Sequence, residues 1–229
     1  AWRAGTASGD PSVSSARMTT LRTLDLARLP LTTGALLDQV PAGVESLALD
    51  ENGQYERSTL VSLRRFANLR ELSLIGLAQL DPATLSALLA GVQLTSLRIG
   101  GTPPSLRDSI QPPLDNSVLE ALAQQRSLRT LDLGNSDWID DTTVAGLQRL
   151  PALEELDLSH TRALRAKTMA ELAQCGALRR LSLRGCSWLK RNGLEGLQPL
   201  QLQALDLYGA NGLFAGHVRE IAAAWPGCR

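Results

Sequence analysis

Residues 128–139 read LRTLDLGNSDWI, residues 153–164 LEELDLSHTRAL and residues 178–189 LRRLSLRGCSWL, three copies of one pattern at a spacing of 25 residues. Each copy has Leu at its first, fourth and sixth positions, then a small residue (Ser136, Thr161, Cys186), then a large aliphatic residue three places on. Working outward, the Leu-x-x-Leu-x-Leu register begins at Leu21, Val44, Leu69, Leu94, Leu128, Leu153, Leu178 and Leu202. These eight units are separated by 23, 25, 25, 34, 25, 25 and 24 residues. Self-similarity at this period marks a solenoid of stacked units, none of which can bury its apolar face alone.

The two halves of a unit follow different periods. The Leu-x-Leu alternation has period two and predicts a short strand. After Ser136 the apolar residues Val144, Leu147 and Leu150 fall at offsets of 8, 11 and 14, and Met169, Leu172 and Cys175 repeat those offsets after Thr161, as do Leu194, Leu197 and Leu200 after Cys186. That spacing lays apolar groups along one face of a helix. Each unit is therefore expected to run strand, loop, helix. Strands joined by helical returns lie parallel, and such crossovers are overwhelmingly right-handed. Removing nine residues from the fourth unit aligns Leu114, Leu119 and Leu122 with the template, which places an insertion between Thr102 and Leu114.

Composition agrees with repetition. The chain has 229 residues, 44% of them hydrophobic but only 3% aromatic, so leucine is expected to fill the interior. Lys+Arg and Asp+Glu both number 23, which gives no net field to steer the chain toward a polyanion or an anionic membrane. Polar residues and glycine interrupt every leucine run well before the roughly 18 apolar residues of a membrane span. Cys175, Cys186 and Cys228 cannot all pair within the chain and lack CxxC spacing, so a reducing, cytoplasmic location is expected. The start at Ala1 without Met suggests a trimmed or excised chain.

On these motifs the chain resembles the leucine-rich repeat family, over residues from about 21 to 225. The segments around Cys186-Ser187-Trp188-Leu189 and Ser136-Asp137-Trp138-Ile139 resemble its cysteine-containing subclass, although only one unit carries Cys at that position. The resemblance implies an α/β fold: a right-handed leucine-rich repeat solenoid, or horseshoe, of about eight repeats, with parallel strands on the concave face and helices on the convex face. It also implies a protein-binding role, as in F-box ubiquitin-ligase adaptors, or in bacterial effectors that work in the host cytoplasm. The Ala, Leu, Arg and Gly bias favours a bacterial source.

Residues 1–20 are small, polar and aperiodic and are expected to form a linker or extension, with the repeat domain at 21–229. Val218, Ile221 and Trp225 form a last helical face before Pro226-Gly227 ends it.

The residues alternating with the inward leucines are polar, so one face of the sheet meets water or a partner. Its central column is Asp25, Ala48, Ser73, Arg98, Asp132, Asp157, Ser182 and Asp206, with Arg184 and Tyr208 in the column beside it. Arg98, Asp132, Glu155, Asp157, His160, Arg180, Arg184, Asp206 and Tyr208 are the candidate partner-binding residues, the alternative being a solvated sheet face. Trp138 and Trp188 occupy the same offset two units apart and form a second candidate, beside the insertion Pro103–Pro113. The alternative there is that each indole covers the neighbouring leucine layer. Arg162, Arg165, Lys167, Lys190 and Arg191 line the same loops, but without net positive charge nucleic-acid binding is not expected.

No catalytic residues, metal ligands or cofactor are assigned. His160 and His217 fall in different layers, no Ser or Cys nucleophile aligns with His160, and the nucleotide, zinc-protease and nucleophile-elbow motifs are missing. The sequence reads as a non-enzymatic scaffold that binds another protein. Its rival is a structural segment that positions a catalytic domain lying outside this chain.

Overall fold

A leucine every second residue, flanked by polar residues, sets the strand register. In the computed structural model Leu24, Leu47, Leu72, Leu97, Leu131, Leu156, Leu181 and Leu205 stand side by side on successive parallel strands. The structure describes residues 2–3, 20–28, 35–51, 55–102, 110, 112–189, 194–213 and 215–228. The strands are β2 (Thr23–Asp25), β3 (Ser46–Ala48), β4 (Glu71–Ser73), β5 (Ser96–Arg98), β6 (Thr130–Asp132), β7 (Glu155–Asp157), β8 (Arg180–Ser182) and β9 (Ala204–Asp206). A further strand, β1 (Trp2–Arg3), pairs parallel with β2, so the sheet has nine strands in sequence order. Residues 4–19, most of the expected linker, lie outside the described residues.

The convex side carries α1 (Ala35–Asp38), α2 (Arg57–Ser62), α3 (Pro82–Leu89), α4 (Leu119–Ala123), α5 (Asp141–Gly146), α6 (Ala166–Leu172) and α7 (Ala215–Ala224). Helices are about 10 Å across while strands pair at about 4.8 Å, so the helical side fans out and the strands line the concave face of a right-handed solenoid. In the seventh unit the described residues form a single 3₁₀ turn, Glu195–Leu197, where a helix is expected. Gly196 lets this turn approach α6 closely, since a Cβ there would come within 2.8 Å of the Ala170 backbone.

The core is one continuous stack from Leu24 to Trp225. Inside it runs a short polar ladder at the position that varies among the units. The Thr161 hydroxyl donates to the Leu158 carbonyl at 2.8 Å, and the Cys186 thiol donates to the same carbonyl at 3.3 Å. Thr, Ser and Cys side chains are all buried at this position, so the cysteine is one of several small residues that fit it.

The fourth unit departs from the template at Gln125, which takes the place held by Leu150, Cys175 and Leu200 elsewhere and is fully buried. Its amide is satisfied at both ends: Oε1 accepts the Leu94 N–H at 3.0 Å, and Nε2 donates to the Leu89 and Val92 carbonyls at 2.9 and 3.1 Å. A buried amide is tolerated because each polar atom has a partner.

Candidate functional site on the concave face

The central column lies in register across the strands, with Arg98, Asp132, Asp157, Ser182 and Asp206 on β5 to β9. The acidic members serve the backbone first. Asp132 Oδ1 accepts the Gly134 N–H at 3.0 Å, Asp157 Oδ1 the Ser159 N–H at 2.7 Å and Asp206 Oδ1 the Tyr208 N–H at 2.9 Å. Asp25 does the same for Ala27 at 3.0 Å. Aspartate bonding to the backbone two residues on is a local turn device, so the recurrence of Asp in this column has a structural cause. Beyond these bonds the Asp132 carboxylate also meets Arg98, and the Asp157 carboxylate also meets the Ser182 side chain.

Two ion pairs cross adjacent strands. Arg98 Nε lies 3.0 Å from Asp132 Oδ2, and the Arg180 guanidinium pairs with Glu155. Their cations are about half exposed, so each pair contributes only about 0–1 kcal/mol to stability. Among the described residues, Asp157 and Asp206 make no ion pair. Burial pushes the Asp157 carboxyl above the ordinary aspartate value; the Ser159 hydrogen bonds oppose this, and the neighbouring Asp132 charge adds to it.

These residues line an open depression of about 290 Å³ running from Arg98 and Asp132 past Glu155, Asp157 and Arg180 to Asp206. Thr130, Ala204 and Ser182, which are not among the candidate partner-binding residues, also line it, together with Leu131, Leu156 and Leu181. At its C-terminal end the Arg184 guanidinium stacks 4.4 Å from the centre of the Tyr208 ring, and Tyr208 is 71% exposed. The structure thus brings together Arg98, Asp132, Glu155, Asp157, Arg180 and Asp206, with Arg184 and Tyr208 in the next column.

His160 is placed differently. It adopts a left-handed backbone with φ of 57°, as Asn135, Gly185 and Gly209 do at the equivalent position of their own units. Its ring packs on Gly185, where an added Cβ would come within 2.2 Å of His160 Nδ1. His160 is half-buried at the turn and does not line the depression. The signal was available in the sequence: the third residue after the central column is repeatedly Gly, Asn or another residue tolerant of positive φ.

Both indoles of the second candidate are partly buried against the core. Trp188 Nε1 donates to the Thr161 carbonyl at 3.1 Å and so ties one unit to the previous one. Trp138 Nε1 is buried without a hydrogen-bond partner among the described residues. Arg162, Arg165 and Lys167 are exposed. Lys190, Arg191 and most of the insertion, residues 103–109 and 111, lie outside the described residues.

Two of the three cysteines sit in apolar surroundings. Burial pushes the Cys175 thiol up to about 11 and also raises Cys186, so neither has the thiolate character of a nucleophile. Among the described residues no group of three or more His, Cys, Asp or Glu is placed to hold a metal ion. No helix among them is long and apolar enough to cross a membrane.

No protein-family model matches the chain, and no curated protein matches it in sequence. Solved structures share its fold. The leucine-rich repeat-containing protein LegL7 from Legionella pneumophila superposes with a TM-score of 0.62 at 16% identity, over 96% of this chain and 78% of that one. An internalin from Listeria monocytogenes gives 0.55 at 20% identity, over 83% of this chain and 55% of its own length. A TLR13–ssRNA13 complex gives 0.53 at 17% identity, over 83% of this chain and 33% of the other. The chain therefore spans about half of that internalin and a third of TLR13, and what is common to all of them is the leucine-rich repeat fold.

Proposed function

We propose that this chain is a non-catalytic leucine-rich repeat scaffold, with residues 21–229 as its repeat domain, that binds another protein on the C-terminal half of its concave face. The observation that carries the reading is the acidic couple Asp157 and Asp206, which makes no ion pair among the described residues, near the exposed Arg184–Tyr208 stack. The couple offers charge complementarity to a basic side chain, while Tyr supplies the large amphipathic contact typical of binding hot spots. The shared fold with LegL7 and the internalin is compatible with such a role.

The finer version, target recognition in a bacterial effector or a ubiquitin-ligase adaptor, rests on the sequence resemblance. The Ala, Leu, Arg and Gly bias favours a bacterial source and with it the effector. TLR13 was solved with a single-stranded RNA, yet the acidic column and zero net charge here disfavour a phosphate backbone.

The test is affinity capture with the chain as bait beside an Asp157→Asn, Asp206→Asn variant, read by mass spectrometry. A protein retained by the parent and lost by the variant supports the concave site. Equal retention by both rejects it.

A further inference from the structure

The chain carries no net charge, yet arginine is concentrated along the edge where helices end and strands begin. The residue before each repeat strand stands beside its counterparts in the neighbouring units. From Glu45 onward its N–H donates to the carbonyl of the counterpart one unit back, as Arg70 does to Glu45 and Arg179 to Glu154, both at 2.8 Å. Arginine holds this place in alternate units, as Arg22, Arg70, Arg129 and Arg179. Glu45, Thr95 and Glu154 stand between them. Each glutamate is taken by one arginine, Glu45 by Arg22 at 3.5 Å and Glu154 by Arg129. Among the described residues Arg70 and Arg179 meet no carboxylate.

Three of these guanidiniums are anchored in the same way. Arg70 Nη1 donates to the Leu69 and Gln93 carbonyls at 3.1 and 3.2 Å. Arg179 Nη1 donates to the Gly176 and Leu178 carbonyls at 3.0 and 2.9 Å, and Arg129 Nη1 donates to Glu154. Among the described residues the Nε and Nη2 groups of all three donate to nothing. Nε and Nη2 form the side of the fork that grips both oxygens of one carboxylate. Strands pair about 4.8 Å apart, so Arg70, Arg129 and Arg179 recur at about 9.6 Å. A polyproline II segment turns once in three residues, about 9.3 Å, and returns every third side chain to one face.

From this we infer that the strand-entry edge is a second interaction surface, which takes an acidic segment of a partner protein in polyproline II conformation with a carboxylate at every third residue. Three such carboxylates meet Arg70, Arg129 and Arg179 in turn, each on an anchored guanidinium. The anchoring lowers the ordering cost of each new contact, since one nitrogen is already fixed. A nucleic-acid strand fits less well, because it carries a charge at every nucleotide and Glu154 lies between two of the arginines.

The probe is an acetylated and amidated peptide of three Glu-Pro-Pro repeats, titrated into the full chain by calorimetry. It is expected to bind saturably. A peptide of the same composition with its glutamates contiguous is expected to bind about tenfold more weakly, because it reaches one arginine instead of three. Arg70→Gln and Arg179→Gln are each expected to weaken binding about tenfold or more, the order of one charge-assisted pair. Arg179→Lys keeps the charge, loses the fork and is expected to weaken binding too. Arg70 and Arg179 also hold backbone carbonyls, so Arg129→Gln supplies a variant that disturbs none. It is expected to lose about tenfold in affinity with a nearly unchanged thermal midpoint. The Asp157→Asn, Asp206→Asn variant is expected to bind the peptide as the parent does, which separates this edge from the concave site. No binding, equal binding of the two peptides, or parental affinity in Arg129→Gln overturns the inference. Tighter binding of a single-stranded oligonucleotide of equal charge assigns the edge to nucleic acid and likewise overturns it.

Discussion

The Asp157 carboxylate holds the Ser159 backbone N–H at 2.7 Å while standing one strand away from Asp132, so one side chain both fastens the strand end and faces the concave depression. Charge and fastening are separable. Asp157→Asn keeps the Oδ1 acceptor and removes the charge, whereas Asp157→Arg removes both and would confuse lost binding with lost structure. Asp157→Asn is expected to leave the thermal midpoint nearly unchanged and to weaken partner binding roughly ten- to hundredfold, the range for a charge-assisted hydrogen bond. Calorimetric titration of a captured partner against both proteins checks it. An unaltered affinity would remove Asp157 from the interface.

The same residue gives stability a pH signature. Its carboxyl is raised above the ordinary value of 3.8 mainly by burial, so in the interval between the two values the folded chain binds more protons than the unfolded chain. Protonation therefore favours the fold: the contribution is fully present below the unfolded value and is lost as pH rises through the folded one. Asp157→Asn lacks this contribution. Urea midpoints of both proteins between neutral pH and about pH 4 are expected to show the parent gaining on the variant as the solution is acidified. Carboxyls held low, such as Asp81 by its bonds to Thr84, act in the opposite direction in both proteins and cancel in the difference. A constant difference across the range would contradict the buried carboxylate.

Leu156 tests the register itself. It is 2% exposed, with Leu131 and Leu181 beside it on the neighbouring strands. Leu156→Ala is expected to cost about 2–5 kcal/mol, the range for truncating a buried leucine. Leu156→Asp is expected to abolish cooperative unfolding, because an unpaired charge would enter the leucine layer. Circular dichroism during thermal denaturation reads both. A folded Leu156→Asp protein would mean that this residue faces solvent.

The strand register was legible because burial on one face imposes period two on Leu24 through Leu205, and a slip of one residue would turn every leucine outward. The concave column followed from the same alternation. What alternation does not encode is backbone conformation and hydrogen bonding. Asp132, Asp157 and Asp206 read as a charged surface, while their bonds to Gly134, Ser159 and Tyr208 depend on the bend after each strand. His160 read as a surface neighbour of Asp157, but positive φ turns it onto Gly185. Strand β1 carries no leucine pattern, so Trp2–Arg3 gave no periodic signal.

Gln125 is where pattern and structure diverge most sharply. Aligning the units makes Gln125→Leu look like a repair, since Leu150 and Leu200 hold the same place. In the fold the glutamine amide serves the Leu94 N–H and the Leu89 and Val92 carbonyls, groups that come together where α3 of the third unit ends and the fourth unit begins. A leucine would fill the space and leave these groups unpaired in the core. The apolar gain is set against the desolvation of a stranded donor, about 1–3 kcal/mol, with further cost from the two carbonyls. Gln125→Leu is therefore expected to lower stability by roughly that amount, measured by urea denaturation, and to speed hydrogen exchange at the Leu94 amide. A stabilised variant would show that the leucine template outranks the amide clamp.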